Sequence, residues 1–342
     1  MRCRPWLTGC LVLGCQASAT TPQDAGIAAT TIKRWDLKAF APREAAVPAR
    51  EFRPPSSFAP LVRAVRNAVV HVNATTQDGR HNVGSGFIIH SDGLVVTNDH
   101  VLGTGQGITV RSHEGRDWPG TVVARDTATD VALLALPPGN YPTLGLGDSD
   151  LLEVGDWIVV VGSPFGLDTT VSQGIVSAKE RALGRSEFDD FLQVNAHFNP
   201  GNSGGPVFDM QGRVVGVATA TMVEGQGIAF AAPINLVRDM LPNLLDNGRM
   251  DRGWLGLVAR EDTVDGGLRV RVAEVAEGSP AAMAGVKPQD VIVTVGGRSI
   301  EDYAALFRKV ALMPPGAKVR LSLLRQGKRV DATATLVVRP SK

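Results

Sequence analysis

Ser203 lies in the run Asn199-Pro200-Gly201-Asn202-Ser203-Gly204-Gly205-Pro206. Glycines on both sides let a serine hydroxyl stand clear of the chain while nearby backbone N–H groups point at one spot. Those are the parts needed to attack a carbonyl and hold the oxyanion that follows. Such a serine needs a base, and the base needs a carboxylate to orient it. His100 follows the apolar run Gly93-Leu94-Val95-Val96-Thr97-Asn98-Asp99, and Asp130 opens Val131-Ala132-Leu133-Leu134-Ala135-Leu136. An acid at the mouth of a buried strand is costly unless a cation or an N–H meets it. The expected roles are base and then acid for His100, orienter for Asp130 and nucleophile for Ser203. The N–H groups of Gly201 and Ser203 are the candidate oxyanion donors. Each residue alone has a plain use: a turn serine, a solvated histidine, a strand cap. Their conjunction, in one order with strand-like segments between them, points to chemistry.

The surrounding elements fit that task. Over residues 57–234, short apolar runs alternate with Gly-rich turns: Ala68–Val72, Phe87–Ile89, Leu94–Thr97, Thr121–Ala124, Val131–Leu136, Trp157–Val161 and Val214–Ala218. Short strands at this density predict an all-β sandwich or a pair of barrels. The order His, Asp, Ser matches the two-barrel arrangement among the convergent triads. Residues Ile234–Leu245 carry helical periodicity that ends at Asn247-Gly248, and Pro242 is expected to bend or restart that helix. A second unit follows, with predicted strands Leu268–Val275 and Val291–Val295, helix Glu301–Leu312, and a hairpin of Lys318–Leu324 with Arg329–Val337.

The chain resembles the HtrA (Deg) type of trypsin-like serine protease followed by one PDZ domain. The likeness is carried by Gly84-Ser85-Gly86-Phe87-Ile88-Ile89, Thr97-Asn98-Asp99-His100-Val101, Asp130-Val131-Ala132-Leu133-Leu134, Leu146-Gly147-Asp148-Ser149-Asp150 and Gly162-Ser163-Pro164-Phe165-Gly166-Leu167. The Ser203 run, Gly227-Ile228-Ala229-Phe230-Ala231-Ala232-Pro233 and Gly278-Ser279-Pro280-Ala281-Ala282 complete it. The resemblance implies a mainly β fold: a two-β-barrel protease domain at 57–248 and a small α+β PDZ domain at 250–340. It implies a serine endopeptidase that cleaves misfolded or signalling proteins in the cell envelope through an acyl-enzyme, under PDZ regulation. The competing reading is a protease-like chaperone or peptide-binding module with little catalysis. A homotrimer is implied, with unfolded or C-terminally exposed polypeptides as partners.

Asn202 stands where zymogen-activated relatives carry an acid, so activation by a newly cut N-terminus is not expected. By the resemblance, regulation is expected from loop rearrangement: Lys179–Asp190, the loop approaching Ser203, and the segment after Thr219. The S1 pocket is expected from His197, Phe198, Asn199, Ile228, Ala229 and Phe230. The stretch Val194-Asn195-Ala196-His197-Phe198-Asn199 departs from the family's usual residues. With no acid at the pocket base and Phe198 narrowing it, small aliphatic P1 residues such as Val or Ala are expected. His197 reads either as a pH-dependent element or, preferably, as a hydrogen-bonded core histidine. The PDZ groove is expected at Trp254, Leu255, Gly256 and Leu257, taking peptide ends by strand addition. Tyr303 and Phe307, one helical turn apart, read as facing either the groove or, preferably, the core.

Bulk properties exclude other classes. A formal net charge of +1 offers no electrostatic case for nucleic acid or an anionic membrane surface. All three cysteines, Cys3, Cys10 and Cys15, precede residue 16, so the body of the chain offers no disulfide and no thiolate metal site. The six histidines form no helical His-x-x-x-His pair, and neither metal nor cofactor is expected. Residues 1–19 read as an export signal to the periplasm or cell envelope. Val12-Leu13-Gly14-Cys15 resembles a lipobox with Cys15 as the lipidated residue, whereas Ala17-Ser18-Ala19 fits ordinary cleavage. Residues 20–56, rich in Ala and Pro, read as a flexible tether.

Overall fold

The computed structural model describes residues 55–339, apart from 77–78, 80, 106, 164–168, 185, 187, 200, 222–226, 265–266 and 301. The expected export signal with Cys15, and the tether up to residue 54, lie outside the described residues. From Ser56 onward the chain forms one compact unit.

A short helix α1 (Ala59–Val65) leads into seven antiparallel strands. These are β1 (Val69–Thr75), β2 (His81–His90), β3 (Leu94–Thr97), β4 (Gly107–Ser112), β5 (Asp117–Pro119), β6 (Thr121–Asp126) and β7 (Val131–Ala135), with helix α2 (Asp99–Leu102) after β3. They pair in the order β5-β4-β1-β2-β3-β7-β6. In β4, Ile108 and Val110 are buried while Gly107 and Thr109 are exposed, so one face meets the core. The central strands β3 and β7 are apolar along most of their length because both faces are covered.

A closed barrel follows, made of β8 (Trp157–Gly162), β9 (Thr170–Arg181), β10 (Phe191–Val194), β11 (Pro206–Phe208), β12 (Val214–Thr221) and β13 (Ala229–Pro233). Val159, Val161, Phe208, Val214 and Val217 of this barrel share a core cluster with Val72, Phe87 and Val96 of the first sheet. The site between the two bodies is thereby held by a common apolar seam. Helix α3 (Ile234–Asn247) packs Ile234, Val237, Met240 and Leu244 on that seam. It ends at Gly248, whose φ of 67° provides the left-handed cap. The helix runs through Pro242 as one element, so the expected restart is absent. Five buried apolar residues, those four and Leu236, hold it against the cost of the missing N–H.

The last unit is a six-stranded antiparallel sheet, a separate two-stranded antiparallel pair of its first and last strands, and two helices. Its strands are β14 (Gly253–Trp254), β15 (Leu257–Val264), β16 (Gly267–Val275), β17 (Val291–Val295), β18 (Arg298–Ser299), β19 (Lys318–Arg325), β20 (Lys328–Thr335) and β21 (Val337–Val338). Helix α4 (Pro280–Met283) is capped by Ser279 Oγ, and α5 (Tyr303–Ala311) by the Asp302 carboxylate. Strand β15 ends the order β15-β16-β17-β19-β20, leaving one side of its backbone unpaired with any described strand. Leu306 and Val310 of α5, four apart, seal the sheet's core with Val270, Ile292 and Leu321.

Candidate active site

His100 sits on α2, directly after the turn that ends β3, and Asp130 sits directly before β7. Strands β3 and β7 are neighbours, with Thr97 opposite Ala132, so the register brings the two side chains together. His100 Nδ1 lies 2.7 Å from Asp130 Oδ2, and the His100 backbone N–H donates to Asp130 Oδ1 at 2.9 Å. A carboxylate can only accept here, so the ring proton is on Nδ1 and Nε2 is left basic. Asp130 also answers the requirement for an N–H partner at the strand mouth. Its backbone is in the left-handed region, φ 56°, which costs a non-glycine residue free energy. Two donors hold it there, Asn98 Nδ2 at 2.8 Å and the Asp99 N–H at 3.2 Å, both on the Asp130 carbonyl.

Ser203 and Asn199 face the same cavity of about 750 Å³ as His100 and Asp130. Gly201 has φ 98°, a conformation that a side chain would strain. Gly204 is left-handed as well, and a Cβ there would stand 2.2 Å from the Ser85 carbonyl oxygen. At Gly204 the loop is thus pressed against β2 with no room for a side chain. Among the described residues, neither the Gly201 N–H nor the Ser203 N–H has a protein acceptor. Unpaired N–H groups in a folded loop are uncommon, and two flanking one serine are available to an oxyanion. The Asn202 side chain, 1% exposed, has no partner for its amide oxygen or nitrogen.

Other groups in this region were not evident in the sequence. Asp99, beside His100, accepts from Arg125 Nε and from Thr127 Oγ, which fixes the start of α2. Thr219 Oγ donates to the Val217 carbonyl and meets Asn98 Nδ2 at 3.3 Å. Ser186, Phe188, Asp189 and Asp190 of the β9–β10 connection line the cavity, and burial pushes the Asp190 carboxyl above its ordinary pKa, against the pull of Arg308. No cluster of three or more potential metal ligands occurs among the described residues.

The expected S1 residues separate. Phe198 lines the cavity and packs on the barrel core with Leu192 and Val194. Ala229 and Phe230 are buried, Phe230 against Phe191 at 6.2 Å between ring centres, and neither lines the cavity; nor does Ile228. His197 is exposed, and among the described residues only its carbonyl is engaged, by Ser172 Oγ at 2.8 Å. The preferred core placement of His197 is corrected accordingly: its neighbours Ala196 and Phe198 take the inward positions.

A trypsin-like peptidase domain model matches residues 84–217, and a PDZ domain model matches residues 248–336. Among solved structures, the HtrA-type protease AlgW with decapeptide is 31% identical, covering 84% of this chain and 100% of that one, with a TM-score of 0.65. AlgW with tripeptide is 34% identical, covering 84% and 98%, with a TM-score of 0.68. The chain belongs to the HtrA-type serine proteases. The serine endoprotease from Yersinia pestis also matches, at 30% identity over 84% of this chain and 100% of that one, TM-score 0.60. A "Probable periplasmic serine endoprotease DegP-like" of Pseudomonas putida (strain W619) is 40% identical over 76% of this chain and 56% of its own length. The chain spans about half the length of the curated relatives it matches.

In this HtrA-type chain a second cavity, about 270 Å³, lies between β15 and α5. Trp254, Leu255, Gly256 and Leu257 all line it, with Val258, Leu306, Val310 and Arg339. Tyr303 and Phe307 line it too, which corrects their expected core placement: Leu306 and Val310 already fill the inward face of α5. Phe307 also stacks on Phe188 of the β9–β10 connection, 5.4 Å between centres. Arg308, buried, donates to the Asp189 carbonyl at 3.1 Å. Arg252 grips Asp126 with Nη2 at 2.7 and 2.8 Å and lies 3.9 Å over the Phe188 ring. The PDZ unit therefore touches both the β9–β10 connection and the segment that leads to Asp130.

Proposed function

We propose that this chain is a serine endopeptidase acting through Ser203, His100 and Asp130. One observation carries the reading: the His100 ring, held by Asp130 at 2.7 Å, faces the same cavity as Ser203. His100 Nε2 takes the Ser203 proton as Oγ attacks the scissile carbonyl, and then delivers it to the departing amine. The tetrahedral oxygen is held by the N–H groups of Gly201 and Ser203. Water then attacks the acyl-enzyme, again with His100 as base. Phe198 fills the base of the P1 site and favours small aliphatic residues.

The PDZ unit takes extended polypeptide ends by adding a strand to β15, with the Trp254–Leu257 turn receiving the carboxylate. The contacts of Arg252 and α5 with the protease body give such binding a route to the catalytic loops. The solved AlgW structures are with a decapeptide and with a tripeptide, which supports polypeptides as the ligand class. The relatives named periplasmic support a site of action in the cell envelope. Misfolded or signalling proteins as substrates, and a homotrimer as the assembly, belong to the same proposal. Anchoring through Cys15 belongs to the same proposal and is tested by mass spectrometry of the mature N-terminus.

Digestion of β-casein by wild type and Ser203→Ala, with and without a C-terminal peptide, followed by sequencing of the products, tests this function. The expected result is cleavage after Val or Ala in wild type alone. Peptide binding at the PDZ groove with no Ser203-dependent cleavage under any condition would instead support a binding module.

A further inference from the structure

The Gly84-Ser85-Gly86 motif has no part in the chemistry described above, yet its serine hydroxyl has two backbone partners behind the Ser203 loop. Ser85 is fully buried in β2. Its Oγ lies 2.6 Å from the Gly201 carbonyl oxygen and 2.9 Å from the Ser163 backbone nitrogen. A carbonyl only accepts and an N–H only donates, so the hydroxyl proton is directed at Gly201 and a lone pair at Ser163. The Ser85 N–H donates to the Ser203 carbonyl at 2.7 Å, and the Ser85 carbonyl accepts from Thr97 Oγ at 2.7 Å. One residue thus engages the carbonyls on both sides of Asn202.

Those carbonyls belong to two peptide units, and each unit is held at its other end too. The Gly201–Asn202 unit donates its N–H to the Asn199 carbonyl at 2.9 Å. The Ser203–Gly204 unit donates its N–H to the Ala218 carbonyl at 2.7 Å. Between them, the Asn202 carbonyl accepts from Gly205 N at 2.8 Å, and the Ser203 N–H of that unit has no acceptor among the described residues. The pinning therefore stops at the two N–H groups an oxyanion requires. Ser163 is itself braced: its carbonyl takes a 2.7 Å hydrogen bond from His71 Nδ1, on a buried ring whose pKa is lowered by that burial. Meanwhile the Asn202 amide is buried without partners, a cost that favours rearrangement of the loop. Ser85 opposes it.

We propose that Ser85 is a positioning residue for oxyanion stabilisation: its hydroxyl fixes the peptide unit that joins the two N–H donors, so that both face the developing charge. This rests on the proposed role of Ser203. Ser85→Ala keeps the backbone contacts of β2 and removes only the hydroxyl. Steady-state cleavage of a peptide substrate and inhibition by a peptide boronate, whose tetrahedral adduct puts an oxygen in the hole, read the effect. The expected result is a fall in kcat of about 10–100-fold, with KM within about twofold and boronate affinity weakened by a factor close to that in kcat/KM. If Ser85→Ala does not fold, Ser85→Cys conserves volume and keeps a weak donor, and a smaller loss in kcat with the same split is expected. A kcat within twofold of wild type in a folded variant, or a loss confined to KM, would overturn the proposal. Ser203→Ala is measured alongside: full activity in that variant would overturn the nucleophile assignment, a result separate from any change in Ser85→Ala.

Discussion

Asp130 does two things with one side chain: one oxygen fixes the His100 tautomer and the other accepts the His100 backbone N–H. Asp130→Asn leaves a similar shape but offers an amide where the ring needs an acceptor. The expected cost in kcat at neutral pH is about 10⁴-fold, measured on a peptide substrate with little change in folding. A loss below about tenfold would mean that His100 is not the base. Phe198 makes a second prediction at this scale. Because it both packs on the barrel core and lines the cavity, Phe198→Ala should shift cleavage from Val and Ala toward Leu and Phe at P1. An unchanged P1 profile among sequenced casein fragments would place S1 elsewhere.

Among the elements, the β9–β10 connection is where packing and charge meet. Asp190 lies between the active-site cavity and a third cavity, lined also by Asp239, Arg298 and Arg308, and is close to Arg308 at 3.6 Å. Burial raises its pKa, opposed by Arg308 and reinforced by Glu180, Asp150 and Asp302. A raised carboxyl binds its proton more readily in the folded chain than in the unfolded one. Stability attributable to Asp190 therefore falls as pH rises from the ordinary carboxylate range through the raised value. Asp190→Asn should raise Tm over wild type near about pH 7.5, and the gain should shrink toward about pH 4. Equal differences at both pH values in calorimetry would contradict this.

Much of the element pattern was legible in the sequence, for reasons visible in particular strands. Leu94–Thr97 and Val291–Val295 match prediction because polar or glycine-rich turns bound them on both sides. Strand β2 extends from His81 to His90, far beyond the predicted Phe87–Ile89, because Gly84 and Gly86 read as turn residues. They are strand residues made glycine by close approach: a Cβ on Gly84 would lie 2.8 Å from the Ser203 carbonyl oxygen. His100, Asp130 and Ser203 could be named from local motifs. Ser85 and Arg252 could not be assigned roles, since their partners Gly201 and Asp126 lie 116 and 126 residues away. Phe307 was misread because periodicity places a residue on a helix face without saying whether a second body covers that face.

At the scale of the whole molecule, the PDZ unit is joined to the protease body by contacts on the β9–β10 connection and on Asp126, before Asp130. Arg252 precedes the Gly253–Trp254 strand of the groove and pairs with Asp126, which in turn accepts from Thr129, next to Asp130. Both partners of this ion pair are largely buried, so breaking it exposes an uncompensated charge, at about 3–5 kcal/mol. Arg252→Ala should lower Tm and reduce the ratio of peptide-stimulated to basal cleavage. A stimulation ratio equal to that of wild type would remove this pair from the coupling route. Deleting residues 250–342 should change activity on unfolded protein more broadly, and identical kinetics would remove the PDZ unit from regulation altogether.

The convergence of His100, Asp130 and Ser203 is tested most directly by labelling with a fluorophosphonate, which modifies a serine only when a neighbouring base activates it. Peptide mapping of the labelled wild type, in the presence of a PDZ-binding C-terminal peptide, should place the adduct on Ser203. His100→Ala should abolish the label while preserving the fold. Wild type that takes no label, or labelling of Ser203 that persists without His100, would contradict it.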